Sequence, residues 1–225
     1  MEQKAFTLPK FLTSDSAFPW LLPLVTMLVV FAIIPFFYNI YLSFHEFVPL
    51  KRKLVYTGLD NWVILFSDPI FWNSFKVTLY YTTVCLFIEL VLGMSIALLI
   101  DSDKPGYGII RSLLTLTLVI PPAIAGMIFL ILEDAHYGII SWVLKSIGLL
   151  GAEQTILADS ILAFWGVVVV DIWQWTPFMV LIFIAGLRSL PKEPFESAMI
   201  DGARPFQVFR RLTFPMMHKV IAVAI

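Results

Sequence analysis

Long apolar runs separated by short polar stretches dominate the chain. Four are complete: Phe18–Phe44, Phe75–Ile100, Ile109–Leu132 and Ser160–Leu187. Each holds the roughly 20 residues a helix needs to cross about 30 Å of hydrocarbon. Period-two alternation is absent, so helices and not a barrel are expected to satisfy the backbone inside a bilayer. The first run lacks the short apolar core and small-residue cleavage site of a signal peptide and reads as a retained span. A fifth run opens at Pro215 and is still apolar at Ile225. It is too short to cross, and reads as the start of a further span in a C-terminally truncated chain. The expectation is an all-α, polytopic transmembrane helix bundle. Its parts are an N-terminal segment 1–17, a first span 18–44, an external loop 45–74 and a transmembrane core 75–225. That core divides into spans 75–100, 109–132 and 160–187, a polar loop 188–214 and the opening of a fifth span at 215–225.

Composition strengthens this picture. The 225 residues are 60% hydrophobic and 14% charged, with a mean hydropathy of +0.90. A soluble domain carries roughly 45–50% apolar and about 25% charged residues. A surface this apolar needs a solvent other than water. The formal charge of -1 excludes a basic nucleic-acid binder. The single cysteine, Cys85, lies inside an apolar run and allows no disulfide framework.

Placement of basic residues sets the orientation. With the N-terminus inside, Lys4, Lys10, Lys104, Arg111, Arg188, Lys192, Arg204, Arg210, Arg211 and Lys219 face the cytoplasm. Lys51, Arg52, Lys53, Lys76 and Lys145 lie outside, a balance of ten against five that favours a cytoplasmic N-terminus. The external loops, about His45–Ser74 and Glu133–Asp159, carry Trp62, Trp72, Tyr137 and Trp142, which suit helices lying along the membrane surface.

Catalytic constellations are missing. There is no GxxxxGK[ST] phosphate loop and no GxSxG, and His45, His136 and His218 are isolated, which leaves no metal site. No enzyme, metal or cofactor chemistry is expected of this chain.

The polar loop after the fourth run is more informative. Pro194 suits the first turn of a short helix, and Glu193 and Glu196 lie near the positive end of its dipole. Phe195, Ala198, Met199 and Gly202 recur at three- and four-residue steps and make one small-to-apolar face. Asp201-Gly202 is a stop signal, because glycine takes the positive φ of a tight reversal. A second short helix is expected from Pro205 to Leu212. An exposed short helix with a narrow apolar face fits a groove on a partner.

Glu196-Ser-Ala198, Asp201-Gly202-Ala203, then Phe209, Leu212 and Pro215, resemble the EAA loop of bacterial ABC importer permeases, in the form found in the maltose-type, carbohydrate-uptake branch. Ser197 departs from the second alanine of the motif but is also small. Trp173-Gln-Trp-Thr-Pro-Phe-Met179, Ala185-Gly-Leu187, Gly58-Leu-Asp-Asn-Trp62 and Phe71-Trp-Asn-Ser74 are similar to that family as well, so the likeness covers most of the chain from Gly58 onward. The resemblance implies the type-1 permease fold in a bacterial or archaeal inner membrane. It also implies a second permease subunit, ATPase subunits that hydrolyse the ATP, an extracytoplasmic solute-binding protein and a sugar or polyol substrate. In such permeases the EAA loop is the coupling helix docked on the ATPase, which places that role on Glu196, Ala198, Asp201, Gly202 and Ala203.

Two acids interrupt the spans, Glu89 in the second and Asp171 in the fourth. A central carboxyl is costly in a bilayer and faces a bundle interior or a wet cavity. Asp171, Gln174 and Phe178 follow at i, i+3 and i+7, with Trp175 a turn from Asp171, a set able to bind hydroxyls and stack on a sugar ring. This candidate substrate path, with Glu89, competes with interhelical hydrogen bonding to a partner. Pro121-Pro122 before Gly126 must perturb the third span, and Gly93 with Ala97 forms a small-xxx-small packing pair. The rival to an ATP-driven importer is a proton-coupled transporter or channel that relays through Glu89 and Asp171.

Overall fold

A computed structural model describes residues 18–49, 53–101, 105–151 and 153–225. The N-terminal segment 1–17 and the basic residues Lys4, Lys10, Lys51, Arg52 and Lys104 lie outside the described residues. Two compact units divide the chain at Phe75 and Lys76.

The first unit opens with a long apolar helix in two parts, α1 (Phe18–Leu28) and α2 (Ile34–Ser43), joined by a π-helical turn at Val29–Ile33. The turn widens where Pro35 has no N–H to give, and Ile34 N–H reaches back to Val29 O. Trp20–Ser43 has a mean hydropathy of 2.5 and none of its most apolar stretch is buried by protein. Such an all-round apolar helix belongs in lipid.

The segment 45–74, expected as an external loop, carries ordered structure. It starts with an antiparallel hairpin, β1 (His45–Val48) against β2 (Lys53–Tyr56), in register His45 to Tyr56 and Val48 to Lys53. The His45 ring sits 4.1 Å from that of Tyr41 and 5.3 Å from that of Tyr56. Asn61 Nδ2 donates to both Ser43 O and His45 O at 3.0 Å, tying the hairpin to α3 (Asp60–Ser67). α3 carries Trp62, whereas Trp72 falls in α4 (Pro69–Ile100), which starts ahead of the expected Phe75.

The second unit is built around α8 (Ser160–Arg188), whose start Asp159 caps by accepting from Ile161 N and Leu162 N at 2.9 Å. α4 approaches α8 closely at Gly93, where an added Cβ would lie 2.6 Å from Met179 Cβ. Met94, Ala97 and Ile100 pack there on Met179, Val180, Phe183 and Ile184. The small-xxx-small pair is thus a packing seam, and Cys85 is buried on the same helix.

The third span is not one helix. α5 (Tyr107–Val119) and α6 (Pro122–Leu132) meet at an angle of 96°. Pro121 and Pro122 remove two successive N–H donors, and Ile120 turns extended, with φ -77° and ψ 120°. Among the described residues, three helices are long and apolar enough to cross a membrane, or four if this bent pair is one span. A short helix, α7 (Ile139–Ser146), follows with Trp142 exposed.

After α8 come α9 (Glu193–Ile200) and a helical run from α10 (Pro205–Val208) through a π turn at Phe209–Thr213 to α11 (Phe214–Met216) and α12 (His218–Ala224). The second short helix expected to end at Leu212 therefore runs on towards the fifth span. α12 returns to α8 at Gly186, where an added Cβ would lie 2.7 Å from Val220 Cγ1.

Candidate functional site

α4, α6 and α8 enclose an open-sided cavity of about 360 Å³. α4 contributes Tyr81, and α6 contributes Pro122, Gly126, Phe129 and Leu130. Val167, Val170, Asp171, Gln174 and Trp175 come from α8, and Glu133 and Leu157 from the segments between. The 96° break in the third span is what turns α6 to form this wall. Its hydrogen-bond debt is met from α8: Gln174 Nε2 donates to Ile120 O at 2.9 Å, and Gln174 is buried.

Of the five residues expected along a substrate path, the cavity brings together Asp171, Gln174 and Trp175. Phe178 stands apart from it, exposed and edge-on to Trp175 with ring centroids 6.3 Å apart. Glu89 is 3% exposed but does not line the cavity, and its Oε1 has no hydrogen-bond partner. Along α4, Tyr81, Cys85 and Glu89 follow at four-residue steps on one face. Tyr81 and Cys85 lie beside Asp171 of α8.

Tyr81 and Glu133 were not evident as site residues. Glu133 is only 3% exposed, although in sequence it is the first polar residue after an apolar run. Space for its carboxyl comes from Gly166 on α8, where an added Cβ would sit 2.8 Å from Glu133 Oε2. Ser141 Oγ of α7 donates to Glu133 O at 2.7 Å and fixes the backbone. Burial pushes the Glu133 carboxyl above the usual carboxylate range. Its half-buried neighbour Asp134 moves the other way, because its carboxylate accepts from Tyr137 N and His136 N at 2.9 and 2.8 Å.

At the other end of α8 the EAA-like loop forms a helix and a tight reversal. Gly202 takes φ +73°, Gly202 N donates to Met199 O at 3.1 Å, and Ala203 N donates to Ala198 O at 3.0 Å. This is a Schellman stop, which satisfies two carbonyls at the end of α9. Ala198, Asp201, Gly202 and Ala203 line one pocket with Gln207 and Arg211. Glu196 faces a different one, with Asp101, Arg188 and Lys192. Arg188 Nε lies 3.1 Å from Asp101 Oδ1, an ion pair that joins the ends of α4 and α8 beside that loop. Among the described residues no group of His, Cys, Asp and Glu is arranged to hold a metal ion.

Residues 89–225, more than half of the chain, match the family of binding-protein-dependent transport system inner membrane components. The chain belongs to that family. A trehalose/maltose transport system permease of Thermococcus litoralis is 32% identical over 205 residues, which cover 91% of this chain and 69% of that one. A permease from Thermoanaerobacterium thermosulfurigenes, named for the transport of starch degradation products, is 31% identical, covering 90% and 68%. An sn-glycerol-3-phosphate permease of Agrobacterium fabrum is 29% identical, covering 88% and 68%. Among solved structures, a bacterial ABC transporter that imports the acidic polysaccharide alginate superposes with a TM-score of 0.75. It is 23% identical, and the match covers 92% of this chain and 69% of that one. The protein is therefore a multi-pass membrane permease with the ABC permease fold, of a family whose work is transport and not catalysis. Membership favours a binding-protein-dependent importer over the proton-coupled alternative.

Proposed function

We propose that this permease is one transmembrane subunit of an ATP-driven importer for a sugar or polyol, seated in a bacterial or archaeal plasma membrane with its N-terminus cytoplasmic. Its partners are a second permease, ATP-hydrolysing subunits and an extracytoplasmic solute-binding protein. Glu196, Ala198, Asp201, Gly202 and Ala203 form the surface that docks on the ATPase. Asp171, Gln174 and Trp175, with Tyr81 and Glu133, form part of the solute path, and Glu89 and Phe178 stand behind it. The core at 75–225 carries both functions, and the spans 18–44 and 75–100 flank the external segment 45–74.

The reading rests above all on the α9 reversal. The last turn of α9 presents Met199 and Ile200 at 68% and 87% exposure, just ahead of the reversal at Gly202. Apolar side chains on a polar loop are stable when a partner groove covers them. When the ATPase subunits close on ATP, a docked α9 moves with them. The Schellman turn and the Arg188–Asp101 pair pass that motion to the ends of α8 and α4. The bend at Pro121-Pro122 then lets the cavity wall shift against α8.

Copurification with the ATPase subunits, and loss of sugar uptake when their ATP site is disabled, test the proposal. Gly202→Arg should break ATPase binding while the chain still inserts in the membrane. Uptake that follows a pH gradient and ignores the ATPase would support the relay through Glu89 and Asp171 instead.

A further inference from the structure

The cavity between α4, α6 and α8 offers a solute mostly hydrogen-bond acceptors. Gln174 spends an amide N–H on Ile120 O and has its carbonyl oxygen left to accept. Tyr81 adds a neutral hydroxyl, which can donate or accept. Glu133 lines the same cavity at 3% exposure and adds a second carboxyl to that of Asp171. Gly166 holds open the space it occupies. No lysine or arginine is among the lining residues, and the donors they offer are all neutral: the Trp175 indole, the Tyr81 hydroxyl and the second amide hydrogen of Gln174.

Such a surface fits hydroxyl groups, which can donate to carboxylates. An ionised carboxylate or phosphate only accepts, so it meets acceptors and like charge with no cation to offset its lost hydration. We propose that this cavity selects solutes by charge, passing neutral sugars or polyols and excluding acidic ones such as uronates and sugar phosphates. The inference deepens the importer reading and rests on it for the identity of the solute. The electrostatic character of the cavity stands independently.

Two arms test it in the assembled transporter. In the first, Gly126→Cys places a thiol in the cavity wall, at a position with no atom within 4 Å of an added Cβ, in a Cys85→Ser background. Its reaction with a sulfonate-bearing methanethiosulfonate is compared with that of a hydroxyl-bearing one. The expected ratio, relative to a small thiol in solution, disfavours the sulfonate by at least about tenfold, the change that 1.4 kcal/mol produces. Glu133→Gln with Asp171→Asn moves the ratio towards that of the free thiol. Because both reagents are read in one preparation, a misassembled fraction does not imitate the effect. A ratio equal to that of the free thiol, or one that the substitutions leave unmoved, overturns the proposal. In the second arm, ATP-driven uptake of a neutral disaccharide is compared with that of its uronate. Equal uptake of the two overturns charge selection. If neither sugar is taken up while the reagent ratio holds, the importer reading falls and the charge selectivity of the cavity stands.

Discussion

Gln174 Nε2 donates to Ile120 O at 2.9 Å, and this one bond joins the middle of α8 to the break between α5 and α6. Two prolines leave the chain at the break short of donors, and inside a bilayer no water replaces them. A side chain from another helix must do so. Gln174 therefore acts on the cavity in two ways, as part of its lining and by holding in place the turn that sets its far wall.

Gln174→Leu should leave the Ile120 carbonyl unsatisfied and destabilise the permease by about 1–2 kcal/mol, the range of buried hydrogen bonds in membrane bundles. Thermal unfolding in detergent reads the loss. Gln174→Met tests donation against packing: it keeps the length and bulk of the side chain but cannot donate, and should behave like leucine. A methionine variant as stable as the native protein would remove Gln174 from this role.

Gly93→Ala and Gly126→Ala form a contrasting pair. At Gly93 the new methyl lands 2.6 Å from Met179 Cβ, and overpacking of this kind costs about 1–3 kcal/mol. At Gly126 nothing lies within 4 Å, and alanine favours a helix by roughly 1 kcal/mol over glycine. The first should lower the midpoint of thermal unfolding, and the second should hold or raise it. Equal effects would mean that the α4–α8 seam is looser than the structure indicates.

How much of this could be read from sequence depends on what each residue answers to. The spans are legible because lipid demands about 20 apolar residues whatever the neighbours. The stop at Asp201-Gly202 is legible because it depends on local backbone chemistry alone. The hairpin His45–Val48 with Lys53–Tyr56 was missed, since four-residue strands hold too few alternations to register against a charged surround. Pro121-Pro122 announced a disturbance, but its 96° angle depends on where α8 places Gln174. Glu133 looked like the start of a loop. It is buried because a glycine far along the chain, Gly166, makes room for its carboxyl, and no local pattern encodes that.

Gly202 sits at φ +73° with no atom within 4 Å of an added Cβ. Substitution there meets strain and not a clash. Gly202→Ala should cost about 1–2 kcal/mol at the end of α9, and Gly202→Asn less, because asparagine tolerates the left-handed region. The two variants should weaken ATPase stimulation by the permease in that order, alanine more than asparagine. If asparagine is the more damaging, the turn matters through its surface and not through its backbone.

Glu133 and Asp134 give neighbouring carboxyls with opposite pH signatures. Burial raises the Glu133 pKa above its unfolded value near 4.5. A group raised on folding contributes stability that is complete below the unfolded pKa and is lost as pH rises through the folded one. Glu133→Gln should therefore gain stability relative to the native protein as pH climbs from about 4.5, the buried charge being what it removes. Asp134 is lowered by the Tyr137 and His136 amides from 3.8, so its contribution is present above that value and fades as pH falls below it. Asp134→Asn should flatten only the acid limb of the profile. Unfolding midpoints of the native protein and both variants across pH 3–8 check the two signs together. A Glu133→Gln curve parallel to the native one through neutral pH would show that the Glu133 carboxyl is solvated and does not stand in the cavity as the structure has it.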